Sequence, residues 1–241
     1  MFFNVRSMTN VAAVAAAAGL LATPVVAQPA LLDDAHVDIG VAYEDGEWDL
    51  HIHQETPIDV EFEPDEAILV VDSTLATTQP TNPAFDFIGA ADDATIWIAT
   101  QSDPPGDIFL GVAGEETAPG IFVGDVMDLT LKAFSGPGEF SVYQVGGTAV
   151  PDIMFDTFDG IGADDVMEVS AGTHDHFNWA FTSAGFYSVT FEASGILNDG
   201  NSTFTSSGDV VYTFQVIPEP TSAALLAGLG GLALVRRRKA S

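Results

Sequence analysis

Histidine is the side chain in this sequence whose spacing most clearly suggests chemistry. The chain has five histidines and no cysteine, so a transition-metal site would use imidazole and carboxylate ligands rather than thiolates. Four of the histidines form two His-x-His pairs, His51 with His53 and His174 with His176, and the fifth is His36. Neutral imidazole is the commonest transition-metal ligand in proteins. The pattern therefore predicts a metal site.

The residues around the first pair predict a β-hairpin that collects three histidines on one face. Asp45-Gly46 is a strong signal for a two-residue type I′ turn. This turn would pair Tyr43 with Trp48, Val41 with Leu50, Ile39 with Ile52 and Asp38 with His53. Because side chains alternate along a strand, one face is apolar and the other is polar. The polar face comprises His36, Asp38, Glu44, Asp49, His51 and His53.

The second pair lies in a similar stretch, Gly172 to Phe181. Alternation places Phe177, Trp179 and Phe181 on one face of a strand, and His174, His176 and Asn178 on the other. Residues at i and i+2 of a strand are about 6.5 to 7 Å apart, which lets two imidazoles converge on one ion. The two pairs are far apart in sequence but could meet across neighbouring strands, and the sequence leaves open whether they share one site.

We predict a metal site in which all five histidines are candidate ligands. The set comprises His36, His51, His53, His174 and His176, with Asp38 and Asp175 as further ligands or as groups that orient the ligands. Zinc suits such a set, because it takes four ligands with nitrogen at about 2.0 to 2.1 Å. Copper and nickel also accept imidazole, so the identity of the metal stays open at this stage.

The body of the chain predicts an all-β fold, a single β-sandwich or jelly-roll-like domain over residues 28–216. From Ala35 onward, apolar and polar residues alternate with period two between clusters of Gly, Pro, Asp and Ser. Many short strands at this spacing are typical of a sandwich or a barrel. The strand candidates are His36–Glu44, Glu47–Gln54, Ala67–Val71, Thr95–Thr100, Val126–Phe134, Glu139–Gln144, Thr173–Thr182, Phe186–Glu192, Ser202–Ser206 and Val210–Val216.

Residues 1–27 predict a removable signal peptide. Arg6 precedes an apolar stretch from Val11 to Leu21, and small residues follow at Val25 and Ala27. This is the order of a secretory signal, so we predict export through the secretion machinery and cleavage after Ala27. The apolar stretch is too short to span a hydrocarbon core about 30 Å thick.

Residues 217–241 contain three parts in order: Pro218, Glu219 and Pro220, then the uncharged run Thr221–Val235, then Arg236, Arg237, Arg238 and Lys239. This order resembles the PEP-CTERM sorting signal. The run predicts a short hydrophobic helix of about 22 Å, and the basic cluster would stay in the cytoplasm. The resemblance implies transient insertion in the inner membrane of a Gram-negative bacterium and processing by an exosortase-type protease. Attachment to the cell surface or release would follow.

Removal of both ends leaves an acidic body. The ends carry five of the six basic residues, so the body keeps Lys132 alone, together with 34 of the 35 acidic residues, for a net charge of −33. Such a surface repels phosphate backbones, which excludes nucleic-acid binding. Strong acidity suits either solubility in salty surroundings or the attraction of cations.

Four stretches of the body serve as landmarks: His36–Gly40, Asp45-Gly46, Pro137–Phe140 and Thr173–Thr182. With these landmarks the body resembles the choice-of-anchor M surface domains, and especially the PEP-CTERM proteins that a zinc-uptake regulator represses. The resemblance spans about Ala35 to Ser194. It implies an envelope-attached protein associated with zinc-responsive genes or metal-transport components, with no established reaction. The resemblance favours zinc, in acquisition or storage.

Two other function classes stay open. One is a structural or adhesive surface module without metal. The other is a cupin-like metal-dependent enzyme, because Gly46, His51, His53 and either Glu55 or Glu61 faintly echo a cupin motif. The spacing departs from that motif, so we favour a binding protein over an enzyme. The acidic segments at 91–93 and 155–160 do not fit the twelve-residue calcium loop and are predicted to be turns.

Overall fold

The computed structural model describes residues 28–147 and 150–218. The predicted signal peptide, its cleavage site after Ala27 and the sorting-tail residues Glu219, Pro220 and Arg236–Arg238 lie outside the described residues. Pro218 is described and is exposed. Within the described part, no helix is long and apolar enough to cross a membrane.

The described residues form seventeen strands and three short 3₁₀ helices, which confirms the predicted all-β class. The 3₁₀ helices are Ser73–Leu75, Pro83–Ile88 and Val123–Asp125. The strands are β1 Ala30–Leu32, β2 His36–Glu44, β3 Glu47–Thr56, β4 Val60–Phe62, β5 Ala67–Val71, β6 Ala76–Thr78, β7 Thr95–Ala99, β8 Phe109–Ala113, β9 Val126–Ser135, β10 Phe140–Val145, β11 Pro151–Asp156, β12 Val166–Ser170, β13 His174–His176, β14 Asn178–Phe181, β15 Gly185–Ile196, β16 Phe204–Ser206 and β17 Val210–Val216.

The strands make three sheets that a β-sandwich accommodates. The large sheet has the order β1-β5-β17-β15-β9-β12, and β16 pairs with β15. The sheet that carries all five histidines, here called the histidine sheet, has the order β13-β8-β2-β3-β4. The third sheet has the order β11-β10-β14-β7-β6. The large sheet and the histidine sheet are mixed, because β1 with β5, β5 with β17, and β2 with β8 run parallel. The strands of the third sheet are all paired antiparallel.

The hairpin β2-β3 has the predicted register, with Asp38 opposite His53 and Ile39 opposite Ile52. Both turn residues have positive φ, 51° at Asp45 and 89° at Gly46, as a type I′ turn requires. The register shifts by one residue at the open end, where His36 pairs with Thr56. This bulge leaves Glu55 as the extra residue beside His36.

The predicted apolar face of the hairpin lies in the core. Val37, Ile39 and Ile52 are completely buried, and they belong to one apolar cluster that joins side chains of all three sheets. The aromatic residues predicted on the inner face of the second histidine segment, Trp179 and Phe181, belong to the same cluster. Burying this apolar face stabilises the orientation of the hairpin by about 25 cal/mol per Å² of apolar surface. Because side chains alternate, the opposite face, with the histidines, points away from this cluster.

One strand prediction is wrong: Thr173–Thr182 is not a single strand. β13 pairs with β8 in the histidine sheet, whereas β14 lies between β10 and β7 in the third sheet. The chain changes sheet at Phe177, whose side chain is buried in the common core. His174 and His176 therefore lie on an edge strand of the histidine sheet.

The strand β8, between β2 and β13, is absent from the sequence-based strand candidates. It pairs in parallel with β2 and antiparallel with β13. Leu110, Val112 and Ala113, whose side chains point to both faces of the strand, are all buried. A strand that is buried on both faces lacks the alternation that identifies a half-exposed strand. This strand decides which histidines meet.

Candidate metal centre

Three of the five histidines converge on the outer face of the histidine sheet. His36 on β2 and His174 and His176 on β13 each offer a ring nitrogen, and these atoms all lie within 4.8 Å of one another. The Nε2 atoms of His36 and His176 are 3.0 Å apart. The ring centroids are separated by 4.7, 5.3 and 5.9 Å. Imidazoles that share one tetrahedral ion have centroids about 5.2 Å apart, so these separations suit a common ion.

Two carboxylates complete the group. Asp38 and Glu55 form a second cluster with His36 and His174, again with ligand atoms within 4.8 Å of one another. Oε2 of Glu55 lies 2.8 Å from Nδ1 of His36, and Oδ2 of Asp38 lies 3.8 Å from Nε2 of the same ring. We call these five residues the three-histidine centre: His36, His174, His176, Asp38 and Glu55.

Asp38 is an unusual carboxylate. Its side chain is 0% exposed, and neither oxygen has a hydrogen-bond partner among the described residues. Burial raises the pKa of Asp38 to about 7, although the charge of His174 opposes the change. An unpaired buried carboxylate costs several kcal/mol unless a cation or a proton neutralises it. Asp38 is therefore a position where either a proton or a bound cation would neutralise a buried charge.

Gly111 on β8 gives Asp38 and His176 room to approach each other. Gly111 pairs with Asp38 on one side and with His176 on the other. A Cβ atom at this position would contact Oδ1 of Asp38 and would lie 3.0 Å from Cε1 of His176. The missing side chain leaves an opening over β8 that the two ligand candidates share.

His176 is held in the neutral form that binds metals. Its ring stacks on Phe109 with the centroids 3.6 Å apart and the planes at 10°. Burial lowers the pKa of His176 to about 4, and the nearby rings of His36 and His174 act in the same direction. The imidazole is therefore uncharged at neutral pH, with a lone pair free for a metal ion.

His174 is oriented by Glu115, which follows β8. Nδ1 of His174 and Oε1 of Glu115 are 2.6 Å apart, and this hydrogen bond raises the pKa of His174. A carboxylate that accepts from one ring nitrogen fixes the tautomer and turns the other nitrogen toward a metal, as is common in zinc sites. Glu115 therefore orients a candidate ligand instead of competing with it.

The other two histidines lie on the same face but outside this cluster. Nε2 of His51 lies 3.5 Å from Oε1 of Glu116, and Nε2 of His53 lies 3.0 Å from Oδ1 of Asp59. Partial burial lowers the pKa of His53, but the bond to Asp59 and its charge outweigh this and raise it overall. The structure thus divides the five histidines into three and two. The prediction that each of the five is a metal ligand stays a prediction.

Sequence reasoning found part of this centre. Asp38 lies in it, whereas Asp175 accepts a hydrogen bond from the backbone N–H of His176 and belongs to neither cluster. Glu55 does carry a sequence signal, because the alternation from His51 through His53 places it on this face. Gly111 and Glu115 carried no sequence signal, because their position depends on β8.

Solvent reaches the centre from two sides. A groove of about 380 Å³ is lined by His36 and Phe109, together with Asp103 and Asp107. A cavity of about 400 Å³ borders His174 and Asp175 on the other side. His36 and His174 keep 20% and 32% of their side-chain surface exposed. An ion held here can therefore exchange with the surroundings.

The acidic segment at 155–160 was predicted to be a turn, but Phe155 and Asp156 are the last residues of β11, and a bend follows them. Oδ1 of Asp165 accepts from the backbone N–H of Asp156, and its Oδ2 accepts from the N–H of Gly162. These bonds use the carboxylate of Asp165 to close the loop between β11 and β12.

The comparisons with known proteins concern the C-terminal end. The model of the PEP-CTERM protein-sorting motif matches residues 216–239, which confirms the predicted sorting tail. The motif indicates an exported protein that is sorted in the cell envelope and processed by exosortase. No curated protein and no solved structure matches the chain. The resemblance of the body to the choice-of-anchor M domains stays a prediction.

Proposed function

We propose that the exported protein reversibly binds a divalent transition metal, zinc, at the three-histidine centre. One observation carries the proposal: three histidines converge beside Asp38, which is completely buried and has no hydrogen-bond partner in residues 28–147 and 150–218. A cation would satisfy this carboxylate, and the neutral ring of His176 would supply nitrogen without first losing a proton.

The ligand types favour zinc over harder cations. Magnesium and calcium prefer oxygen, whereas three imidazole nitrogens with one or two carboxylates suit zinc, copper or nickel. Zinc has no redox chemistry and takes four ligands in a tetrahedron, which three histidines and Asp38 can supply. The resemblance to the zinc-regulated PEP-CTERM proteins supports the same choice.

The surroundings of the centre favour capture and release. The net charge of −33 on the body raises the local concentration of cations. The open groove beside His36 provides an entry path. We therefore propose a role in zinc acquisition or storage in the envelope, with metal-transport components as partners.

The experiment is zinc titration of the mature exported protein against a chelator of known affinity. His36→Ala, His174→Ala and His176→Ala should each weaken the tightest binding at least about 100-fold, because each removes a direct ligand. Asp175→Asn is the matched control, and its affinity should stay close to that of the natural protein. Tight zinc binding that survives the triple alanine variant would contradict the proposal.

The same samples separate the other function classes. A structural or adhesive module would show no change in thermal stability when a chelator is added. We do not propose a cupin-like enzyme, because its motif rests on His51 and His53, which lie outside the three-histidine centre.

A further inference from the structure

A small pocket lies beside the three-histidine centre on the same face of the sheet. Its volume is about 120 Å³, and its polar lining consists of His51, His53, Glu115 and Glu116. We propose that this pocket is a second, weaker site for a divalent transition-metal ion, with His51 and Glu116 as its ligands. The proposal does not depend on occupancy of the three-histidine centre.

His51 is a buried ring without hydrogen bonds. It is 4% exposed, and neither ring nitrogen has a hydrogen-bond partner among the residues that the structure describes. Leaving a buried polar group unpaired costs about 1 to 3 kcal/mol, so the ring is positioned at a cost that a bound ion would offset. This ring lines the pocket directly.

The spacing to the nearest carboxylate suits a shared ion. Nε2 of His51 lies 3.5 Å from Oε1 of Glu116. This distance is long for a hydrogen bond. It is close to the separation of about 3.3 to 3.4 Å between two ligand atoms of one tetrahedral zinc ion. Small movements of Glu116 would complete the geometry, because its side chain is partly exposed.

Gly40 fixes the orientation of the His51 ring. A Cβ atom at Gly40 would contact Nε2, Cε1 and Cδ2 of the ring, so the imidazole lies directly over this backbone position of β2. Gly40 pairs with Ala113 on β8, and both residues line the pocket. Two small residues side by side thus leave the space that the ring and an ion require.

Glu115 and His53 border the site and explain why it is the weaker one. Glu115 is already bonded to His174 of the first centre, and His53 is already bonded to Asp59. The rings of His51 and His53 are 6.3 Å apart, which exceeds the separations within the three-histidine centre. An ion in this pocket therefore has one nitrogen and one carboxylate close at hand, with solvent completing its coordination.

The experiment is a Zn²⁺ titration of the mature protein that counts ions per chain and resolves two affinities. The natural protein should bind two ions. His51→Asn and Glu116→Gln should each remove the weaker ion and leave the tighter one in place. Glu47→Gln, which removes the same charge at an exposed position of the same hairpin, should leave both ions bound. Gly40→Ala should act like His51→Asn, because the added methyl group would displace the ring.

Each outcome either supports or overturns the second site. Two ions in both His51→Asn and Glu116→Gln, or a single ion in the natural protein that depends on His36, would overturn the second site. Loss of only the weaker ion supports it. Glu116→Gln changes a partly exposed side chain, so it remains informative if His51→Asn fails to fold. Failure of the first site is distinct, since the triple alanine variant would then keep its tighter ion.

Discussion

At the scale of single residues, Asp38 and His176 show how one site can shift two pKa values in ways that suit a metal. Burial raises the pKa of Asp38 to about 7 and lowers the pKa of His176 to about 4. In both cases desolvation disfavours the charged form. Near neutral pH the metal-free centre can therefore hold a proton on the carboxyl group while the ring stays uncharged. Binding a metal would release that proton.

The raised pKa of Asp38 predicts an inverted pH dependence of stability. Unfolded, the carboxyl group loses its proton near pH 4, whereas in the metal-free fold it loses it near pH 7. The protonated carboxyl group of Asp38 therefore makes its full contribution to the free energy of unfolding below pH 4, and this contribution is lost as the pH rises to 7. Asp38→Asn should raise the free energy of unfolding of the metal-free protein by about 2 to 4 kcal/mol at pH 8 and by little at pH 4.

Urea denaturation in the presence of a chelator, repeated from pH 4 to pH 8, measures this difference. Asp175→Asn serves as the control, because Asp175 is exposed and its loss should not change the pH profile. Parallel curves for the natural protein and Asp38→Asn would show that Asp38 ionises normally. The same substitution should weaken zinc binding, since it removes a charged ligand.

At the scale of strands, β8 brings the two histidine segments together, and Gly111 is its critical residue. Gly111→Ala should lower zinc affinity at least tenfold and destabilise the fold by about 1 to 3 kcal/mol, because the added methyl group would contact Asp38 and crowd His176. Zinc titration and urea denaturation of the same variant measure the two effects. Gly146→Ala is the control, since no described atom lies within 4 Å of a Cβ built there. Unchanged affinity in Gly111→Ala would mean that the ion does not bind over β8.

The hairpin turn allows a test of stability apart from binding. Gly46 has a φ of 89° with no described atom within 4 Å of an added Cβ, so Gly46→Ala acts through backbone strain alone. We expect a loss of about 1 to 2 kcal/mol in the free energy of unfolding, measured by denaturation. Zinc affinity should not change, because the turn lies at the opposite end of the hairpin from His36. A loss of affinity would place the turn within the binding machinery.

The elements also show what the sequence could and could not predict. The register of β2 and β3 was predictable, because Asp45-Gly46 fixes the turn and period-two alternation fixes the faces. The approach of His36 to His174 and His176 was not predictable. It depends on β8, which lacks an alternation of apolar and polar residues. The division of Thr173–Thr182 between two sheets was missed for a related reason. Alternation of side chains continues through Phe177 while the hydrogen-bond partners change.

At the scale of the whole molecule, the charge of the body is the dominant feature. Lys132 pairs with Glu192 at 3.3 Å and is the single basic residue left between the two ends. The predicted β class and the sorting tail at the C-terminus followed from pattern and motif, and the structure and the motif match confirm them. The arrangement in three sheets could not be predicted from the sequence, because pairing between strands that are distant in the chain leaves no local sequence signal.

The charge predicts how the protein responds to salt. Raising the NaCl concentration from about 0.01 M to 0.5 M should raise the melting temperature of the metal-free protein, because screening reduces repulsion among the carboxylates. The same change should weaken zinc binding by lowering the local cation concentration. Thermal denaturation and zinc titration across the series test both effects. A melting temperature that falls with salt would contradict the electrostatic explanation.

Zinc binding by the mature exported protein is the most direct test of the central claim. The natural protein should bind its tightest zinc ion at one equivalent per chain, and the melting temperature should rise on binding because the ion stabilises the folded state. The variant with alanine at His36, His174 and His176 should lose that ion and most of the rise in melting temperature. A natural protein that takes up no zinc, or a triple variant that binds it as tightly as before, would contradict a metal site at the three-histidine centre.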